Sequence, residues 1–419
     1  MDSLIWYTSG VVRGVKKSFS YVLLGALIYA LYFRFSNLAG QDLWIDEGYT
    51  IAVIKGMLGE GDFLYAPGVI DSSPAYFYSL YYVIKYFHLN ADNILIYRAI
   101  SAVTGSLLLV PIYKISKELF SSKVAQLSVF FVAFSYIGIA WSRQARWYAP
   151  HELVFWILIY CFYRLMKAKG DYVKWLIATL AFLVVAILVQ VSSILLIIFI
   201  LLWAVVSIWR FRDSFYNKNV FLVLMAGALL ILVVKSGLLL YLSSRTGYAL
   251  GYYLGYYFRS YWIFFILIIL GYFQLHRYSK GHQYSFYYLL LLLGVYFICF
   301  GFSDTVNYRY LMHIVPIFFI LGSQYLVNLS EQLGNRSNIF IVGVVCLFMV
   351  LGMGVAVPQD RYLLESDKPG NITVRAFYPY TPQPAWRHAY QYIEDKVGEQ
   401  GVVVSSSPVL SQYFLGYSG

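Results

Sequence analysis

The sequence predicts an all-α polytopic membrane protein of about eleven transmembrane helices, and three observations carry that prediction. Of its 419 residues, 60% are hydrophobic and only 12% are charged, against about 25% charged in an ordinary soluble domain. Apolar stretches of about 17 to 25 residues recur along the chain, each long enough to cross a hydrocarbon core as a helix. The connections between them alternate between rich and poor in Lys and Arg, the pattern of a chain whose basic loops stay in the cytoplasm. Helices are the expected spanning element because lipid offers no partner to backbone polar groups, which must bond within their own segment.

The first apolar run, roughly 18–37, follows Arg13, Lys16 and Lys17. It lacks a small-residue cleavage site and continues to Leu38, so it reads as a retained span with a cytoplasmic amino terminus and not as a signal peptide. Further spans are expected at roughly 98–116, 123–141, 149–166, 172–190, 192–209, 219–243, 259–275, 284–302, 309–329 and 338–357. The basic connections at Lys114, Lys117 and Lys123, at Arg164, Lys167, Lys169 and Lys174, at Arg210, Arg212 and Lys218, and at Arg277 and Lys280 read as cytoplasmic. An odd number of spans then places the carboxyl-terminal stretch on the extracytoplasmic side of the cell membrane.

One apolar stretch breaks the alternation. Pro74 to Leu89 is only 16 residues long and carries Lys85 and His88. Counting it as a span would invert every later connection, so it reads as a helix lying on the membrane surface with its tyrosines at headgroup level. Residues 38–97 then form one long extracytoplasmic loop holding seven of the twenty acidic residues, among them Asp42, Asp46, Glu47 and Asp71. The transmembrane domain covers 1–357. Beyond it the chain turns polar, with Pro358, Pro369, Pro379, Pro382 and Pro384 marking a connector. Trp386 to Lys396 has helical spacing and Val402 to Val404 reads as a strand. Residues 358–419 therefore resemble the start of an extracytoplasmic α/β unit, and it reads as incomplete because a single strand is not stable alone.

The net charge of +11 does not indicate nucleic acid, because the cations are dispersed in short loops and not gathered on one face. Cys161, Cys299 and Cys346 each fall inside an apolar run, so neither a disulfide framework nor a cysteine-based metal site is indicated.

Several constellations can carry chemistry. Asp46 and Glu47, in QDLWIDEGYT just after the first span, place two carboxylates at the interface, a setting suited to general-base use. The same pair is equally what a helix amino terminus wants, with Asp46 as cap and Glu47 in the first turn. In WSRQARWYAP, Arg143 and Arg146 are three residues apart on the outer side, and two guanidiniums there make a fork suited to phosphate. Snorkelling to lipid headgroups is the plainer reading. Arg309 in NYRYLMHIVP begins a span on the same side, as a third phosphate contact or an interfacial anchor. Lys235, inside ILVVKSGLLL, is an intramembrane charge and by that fact a functional candidate. Tyr148, His151, Glu152 and Asp71 are further candidate substrate contacts. The tyrosine-rich segment between Arg245 and Arg259 reads as an external loop with belt tyrosines. No P-loop, zinc-protease motif or nucleophile elbow is present.

Taken in order, LWIDEGYT, the Pro74-led amphipathic stretch, YRAISAVTGSLLLVPIYKISKELF, WSRQARWYAP and RYLMHIVP resemble the GT-C superfamily of membrane glycosyltransferases. The resemblance is to the branch holding the protein O-mannosyltransferases and the lipid A aminoarabinose transferase, a glycosyltransferase family 39-like group. It implies a sugar carried on a polyprenyl phosphate, dolichyl or undecaprenyl, and transfer at the extracytoplasmic face to a lipid, glycan or protein acceptor. It makes Asp46 the catalytic residue with Glu47 as its neighbour, and Arg143, Arg146 and Arg309 the binders of the donor phosphate. Relatives often open the surface helix with His-Pro-Pro, where this chain has Ser73-Pro74-Ala75, and carry His-Tyr where it has Gln190-Val191. No cofactor is implied for this branch, while Asp46 and Glu47 leave room for a divalent metal of the kind related oligosaccharyltransferases use.

The chemistry implied is an inverting transfer in which arginines stabilise the departing phosphate and one base, Asp46, takes the proton of the attacking acceptor. The alternative class is a transporter or flippase of lipid-linked saccharides, with the arginines guiding lipid phosphates. Such a protein is expected to show related halves and discontinuous helices at mid-membrane.

Overall fold

A computed structural model describes residues 24–60 apart from 26 and 41, 70–210 apart from 71 and 169, 248–302, 307–334, parts of 340–348, 386–397 and 413. The described residues are helical almost throughout, with no strand among them.

A helical stretch over 27–35 leads into α1 (Ile45–Leu58), which ends at Gly59 with a left-handed φ of 76°, a conformation glycine adopts without penalty. Helix α2 (Pro74–Tyr86) starts with proline in its first turn, where the missing N–H costs nothing. Its buried face is Tyr76, Phe77, Leu80 and Ile84, packed on α1. Its other face exposes a ladder of Tyr78, Tyr82 and Tyr86, stacked at 6.5 and 5.8 Å between ring centroids.

Helices α3 (Ile94–Leu107) and α4 (Leu109–Leu119) run on as one 26-residue apolar stretch. Helices α5 (Ser122–Ala133) and α6 (Tyr136–Ser142) are separated at Ser135, whose hydroxyl caps α6 by accepting from the Gly138 amide at 3.3 Å. After α7 (Tyr148–Lys167) and α8 (Tyr172–Val189), a 3-10 turn at Val191–Ile194 leads into α9 (Leu195–Arg210). Helix α8 turns Ile177, Leu180, Val184 and Leu188 outward, as a lipid-facing helix does. Helix α10 (Tyr248–Phe273), bent at Tyr261, is followed by α11 (Lys280–Gly301). A 3-10 segment, Tyr308–Ile314, then enters α12 (Val315–Gln332). This last stretch is the centre of the bundle, 94% buried over its most apolar window and packed between α5 and α10. Helix α13 (Trp386–Val397) lies beyond it in sequence.

Five helical stretches among the described residues are long and apolar enough to cross a membrane, and Ser122–Ala133 and Val191–Ser207 are shorter apolar helices. The count is therefore coarser than the eleven spans expected, and it describes a multi-pass membrane protein. The expected span at 219–243, the first residues of that at 18–37, most of that at 338–357, and the strand at Val402–Val404 lie outside the described residues. One expectation is corrected. The tyrosine-rich segment read as an external loop is helical from Tyr248, because Tyr253 and Tyr257 are fully buried and Tyr257 stacks on Phe318 of α12.

Candidate active site

Three short segments meet, the start of α1, the start of α3 and the turn between α6 and α7. The start of α1 is held by Glu47, which sits three residues into the helix and accepts from the Trp44 amide at 3.0 Å. That bond satisfies a donor the helix leaves unpaired. The same carboxylate does more. Its Oε2 takes Arg98 Nη2 at 2.6 Å, and its Oε1 takes Arg98 Nε at 2.9 Å and the Ala145 amide at 2.7 Å. Arg98, on α3, also donates to the Leu38 and Asp42 carbonyls at 2.7 and 3.1 Å. Both partners are buried, at 2% and 0% side-chain exposure. Glu47 thus joins the first loop to α3 and to the turn between α6 and α7.

That junction sets Asp46 beside Arg146. Arg146 donates from Nη1 to the Asp46 carbonyl at 3.1 Å and to Thr50 Oγ1 at 3.3 Å. The Asp46 carboxylate is 22% exposed and forms an ion pair with Arg309 at 3.2 Å between Oδ2 and Nη2. Arg309, on the 3-10 segment leading to α12, lies over the rings of Trp44 at 4.7 Å and of Trp141, Tyr148 and Tyr310 at 5.6 Å each. Such stacking fixes a guanidinium's plane while leaving its N–H edge for anions. Around this cluster the Nε atoms of Arg146 and Arg309 and the Tyr76 hydroxyl are buried without a hydrogen-bond partner. Burial pushes the Tyr76 hydroxyl's pKa up, the charge of Arg146 opposing it. Buried polar groups normally find partners, and three such atoms in the neighbourhood of Arg146 and Arg309 suit a polar ligand.

Arg143 is placed differently. It donates to the carbonyls of Phe33 at 2.5 Å, Ser36 at 2.7 Å and Asn37 at 3.2 Å, so it caps the end of the first helical stretch, whose last carbonyls have no intrahelical donor. Burial pushes its pKa down to about 10, with the nearby Arg98 charge acting the same way.

Of the further candidates, Tyr148 is buried against Trp141 at 4.7 Å between ring centroids and belongs to the cluster. His151 and Glu152 are buried one turn along α7. His151 Nε2 lies 2.7 Å from Ser193 Oγ, and its ring is 4.9 Å from that of His313. Asp71 and Lys235 lie outside the described residues. Sequence reasoning missed Arg98, Tyr76 and His313. Arg98 opens an apolar run and was open to the same intramembrane-charge test that singled out Lys235. Tyr76 and His313 carry no local signal, because only the fold shows which tyrosine or histidine is buried.

No three His, Cys, Asp or Glu side chains converge as metal ligands among the described residues. Glu47 has both oxygens engaged by N–H donors, which leaves Asp46 as the single acidic ligand of the pair. The described donors do not fit a divalent ion.

A family model described as dolichyl-phosphate-mannose-protein mannosyltransferase matches residues 71–241. No curated protein matches the chain. The Archaeoglobus fulgidus oligosaccharyltransferase, solved with zinc and sulfate, aligns with a TM-score of 0.59 at 13% identity, over 90% of this chain and 56% of that one. The same archaeal enzyme with an inhibitory peptide and a dolichol-phosphate gives 0.57 at 12% identity, over 92% and 58%. ArnT from Cupriavidus metallidurans bound to undecaprenyl phosphate gives 0.57 at 15% identity, over 96% of this chain and 85% of that one. The chain thus spans 56% to 58% of the archaeal enzyme's length. At these identities the likeness is one of fold, and the fold is one that this chain shares with the archaeal oligosaccharyltransferase and ArnT.

Proposed function

We propose that this protein is an integral membrane glycosyltransferase that moves a sugar from a polyprenyl phosphate to an acceptor at the extracytoplasmic face. The observation that carries the reading is Asp46 held by two guanidiniums, Arg309 on its carboxylate in an ion pair at 3.2 Å and Arg146 on its backbone carbonyl at 3.1 Å. A sugar on a phosphodiester brings its own leaving group, so cations at the departing oxygen and one base at the incoming nucleophile suffice. Asp46 takes the acceptor proton, and Arg146 and Arg309 hold the phosphate. Attack opposite the leaving group inverts the anomeric carbon. Glu47 and Arg143 act by position, Glu47 joining the start of α1 to α3 and to the turn between α6 and α7, and Arg143 tying that turn to the end of the first helical stretch. The mannosyltransferase family match and the dolichol-phosphate and undecaprenyl phosphate in the similar structures support a lipid phosphate as carrier. Glycans and proteins are the acceptors to be tested.

The breaks at Val191–Ile194 and Tyr308–Ile314 are also what a transporter of lipid-linked saccharides would need. A transfer assay separates the two. Purified protein in detergent is given undecaprenyl-phosphate sugars, and release of undecaprenyl phosphate is followed by thin-layer chromatography. Turnover is expected for the parent and a loss of 10²- to 10⁴-fold, roughly the scale of a positioned base, for Asp46→Asn. Equal turnover of the parent, Asp46→Asn and Arg146→Ala would refute the assignment.

A further inference from the structure

We infer that Arg309 couples donor loading to release of the base: in the arrangement seen here it holds Asp46, and the incoming donor phosphate takes it away. The inference rests on the glycosyltransferase reading above and concerns how the same site is regulated.

The two guanidiniums are mounted differently. Arg146 is anchored, its Nη1 donating to the Asp46 carbonyl at 3.1 Å and to Thr50 Oγ1 at 3.3 Å. Arg309 is held by ring faces at 4.7 to 5.6 Å, by its ion pair with Asp46 and by the Tyr310 hydroxyl, its Nε having no partner. Ring faces restrain a guanidinium's plane far more than its in-plane direction. Arg309 can therefore swing between two anions without leaving its cage. While it sits on Asp46, the Oδ2 lone pair meant for the acceptor proton is engaged. A phosphodiester placed between Arg146 and Arg309 offers the bidentate partner that Arg309 lacks here, and its arrival frees Oδ2.

The charges close on both sides of the step. Before transfer, two guanidiniums face one carboxylate and one phosphodiester monoanion. The acceptor oxygen or nitrogen then bonds to the anomeric carbon, the bond from that carbon to phosphate oxygen breaks, and its electron pair leaves on the phosphate. The acceptor proton goes to Asp46. Two guanidiniums now face a phosphomonoester dianion and a neutral carboxyl group, so no charge is left uncompensated. Arg309 is already on the phosphate when its second negative charge develops, which is when a cation is worth most.

The test is a double-mutant cycle read by binding of undecaprenyl phosphate to the full chain in nanodiscs. Asp46→Asn removes the competitor for Arg309 and is expected to tighten binding about fivefold, or about 1 kcal/mol at 1.4 kcal/mol per tenfold, while transfer is lost. Asp46→Ser is expected to move the same way, so one poorly folding variant does not decide the matter. In an Arg309→Gln background the gain is expected to disappear. Unchanged or weaker binding in Asp46→Asn and Asp46→Ser overturns the exchange while leaving the glycosyltransferase reading intact. The same tightening in the Arg309→Gln background also overturns it, because simple charge repulsion by Asp46 would then explain the gain. Failure of the parent to bind undecaprenyl phosphate overturns both.

Discussion

Replacing Glu47 by Gln tests how the candidate site is held together. Glu47 Oε1 accepts from Arg98 Nε and the Ala145 amide, and Oε2 accepts from Arg98 Nη2 and the Trp44 amide, all within 2.6 to 3.0 Å. A glutamine keeps one oxygen. Whichever way its amide turns, the NH₂ faces two N–H donors, and Arg98 is left as a buried cation that has lost its ion pair, with the attraction of Asp42 remaining. Both side chains are almost fully buried, so this is the case in which removing one partner of a pair costs about 3–5 kcal/mol. The assay is sodium dodecyl sulfate titration of the purified protein in mixed micelles. Glu47→Gln is expected to unfold at a clearly lower detergent fraction than the parent. Because the penalty lies in the orphaned charge, Glu47→Gln with Arg98→Met should recover part of the loss. If Glu47→Gln unfolds with the parent, the pair does not hold the loop. If the double variant is no better than the weaker single variant, the orphaned charge is not the cause.

The two arginines of WSRQARWYAP should separate by assay. Arg143→Ala is expected to destabilise the fold by 1–3 kcal/mol through three lost carbonyl contacts, with little change in undecaprenyl phosphate affinity. Arg146→Ala is expected to weaken that affinity about 10- to 100-fold, the range of a charge-assisted contact of about 1.5–3 kcal/mol. Gly322→Ala puts a methyl 2.6 Å from Phe264 Cδ1 where α12 meets α10, and an overpacking loss of about 1–3 kcal/mol in the same titration is expected. Single cysteines replacing His88 and Ser122, in a background without the native cysteines, should label from opposite sides of the membrane. Labelling from one side would remove the orientation assigned from the basic loops.

What was legible in the sequence was mostly what repeats. Apolar runs gave α3 to α5, α7 to α9, α11 and α12 nearly where they lie, and Pro74 marked the start of α2. The start of α10 was not legible. A run of tyrosines reads as interface by composition, whereas Tyr253 and Tyr257 bury their rings against Phe300 and Phe318. The meeting of Asp46 with Arg146 and Arg309 was readable as residue types in order, but not as geometry. Arg143 shows the limit. Its position in sequence resembles that of Arg146, yet its guanidinium turns to the end of an earlier helix, and only the path of the backbone decides which anion or carbonyl an arginine meets. Glu47 fits the helix-start reading, and its second role as partner of Arg98 needed a contact 51 residues away.

That shared carboxylate has a consequence for swapping parts between proteins of this fold. Because Glu47 serves the Trp44 amide, Arg98 and the Ala145 amide together, the segments 42–50, 94–101 and 141–148 form one transplantable unit. A chimera that imports the acidic loop alone would bring a carboxylate to a scaffold lacking its cation. One that imports the arginine-bearing turn alone would leave the Ala145 amide without its acceptor. Grafting the three together moves the whole junction, and with it the distance between Asp46 and the two arginines.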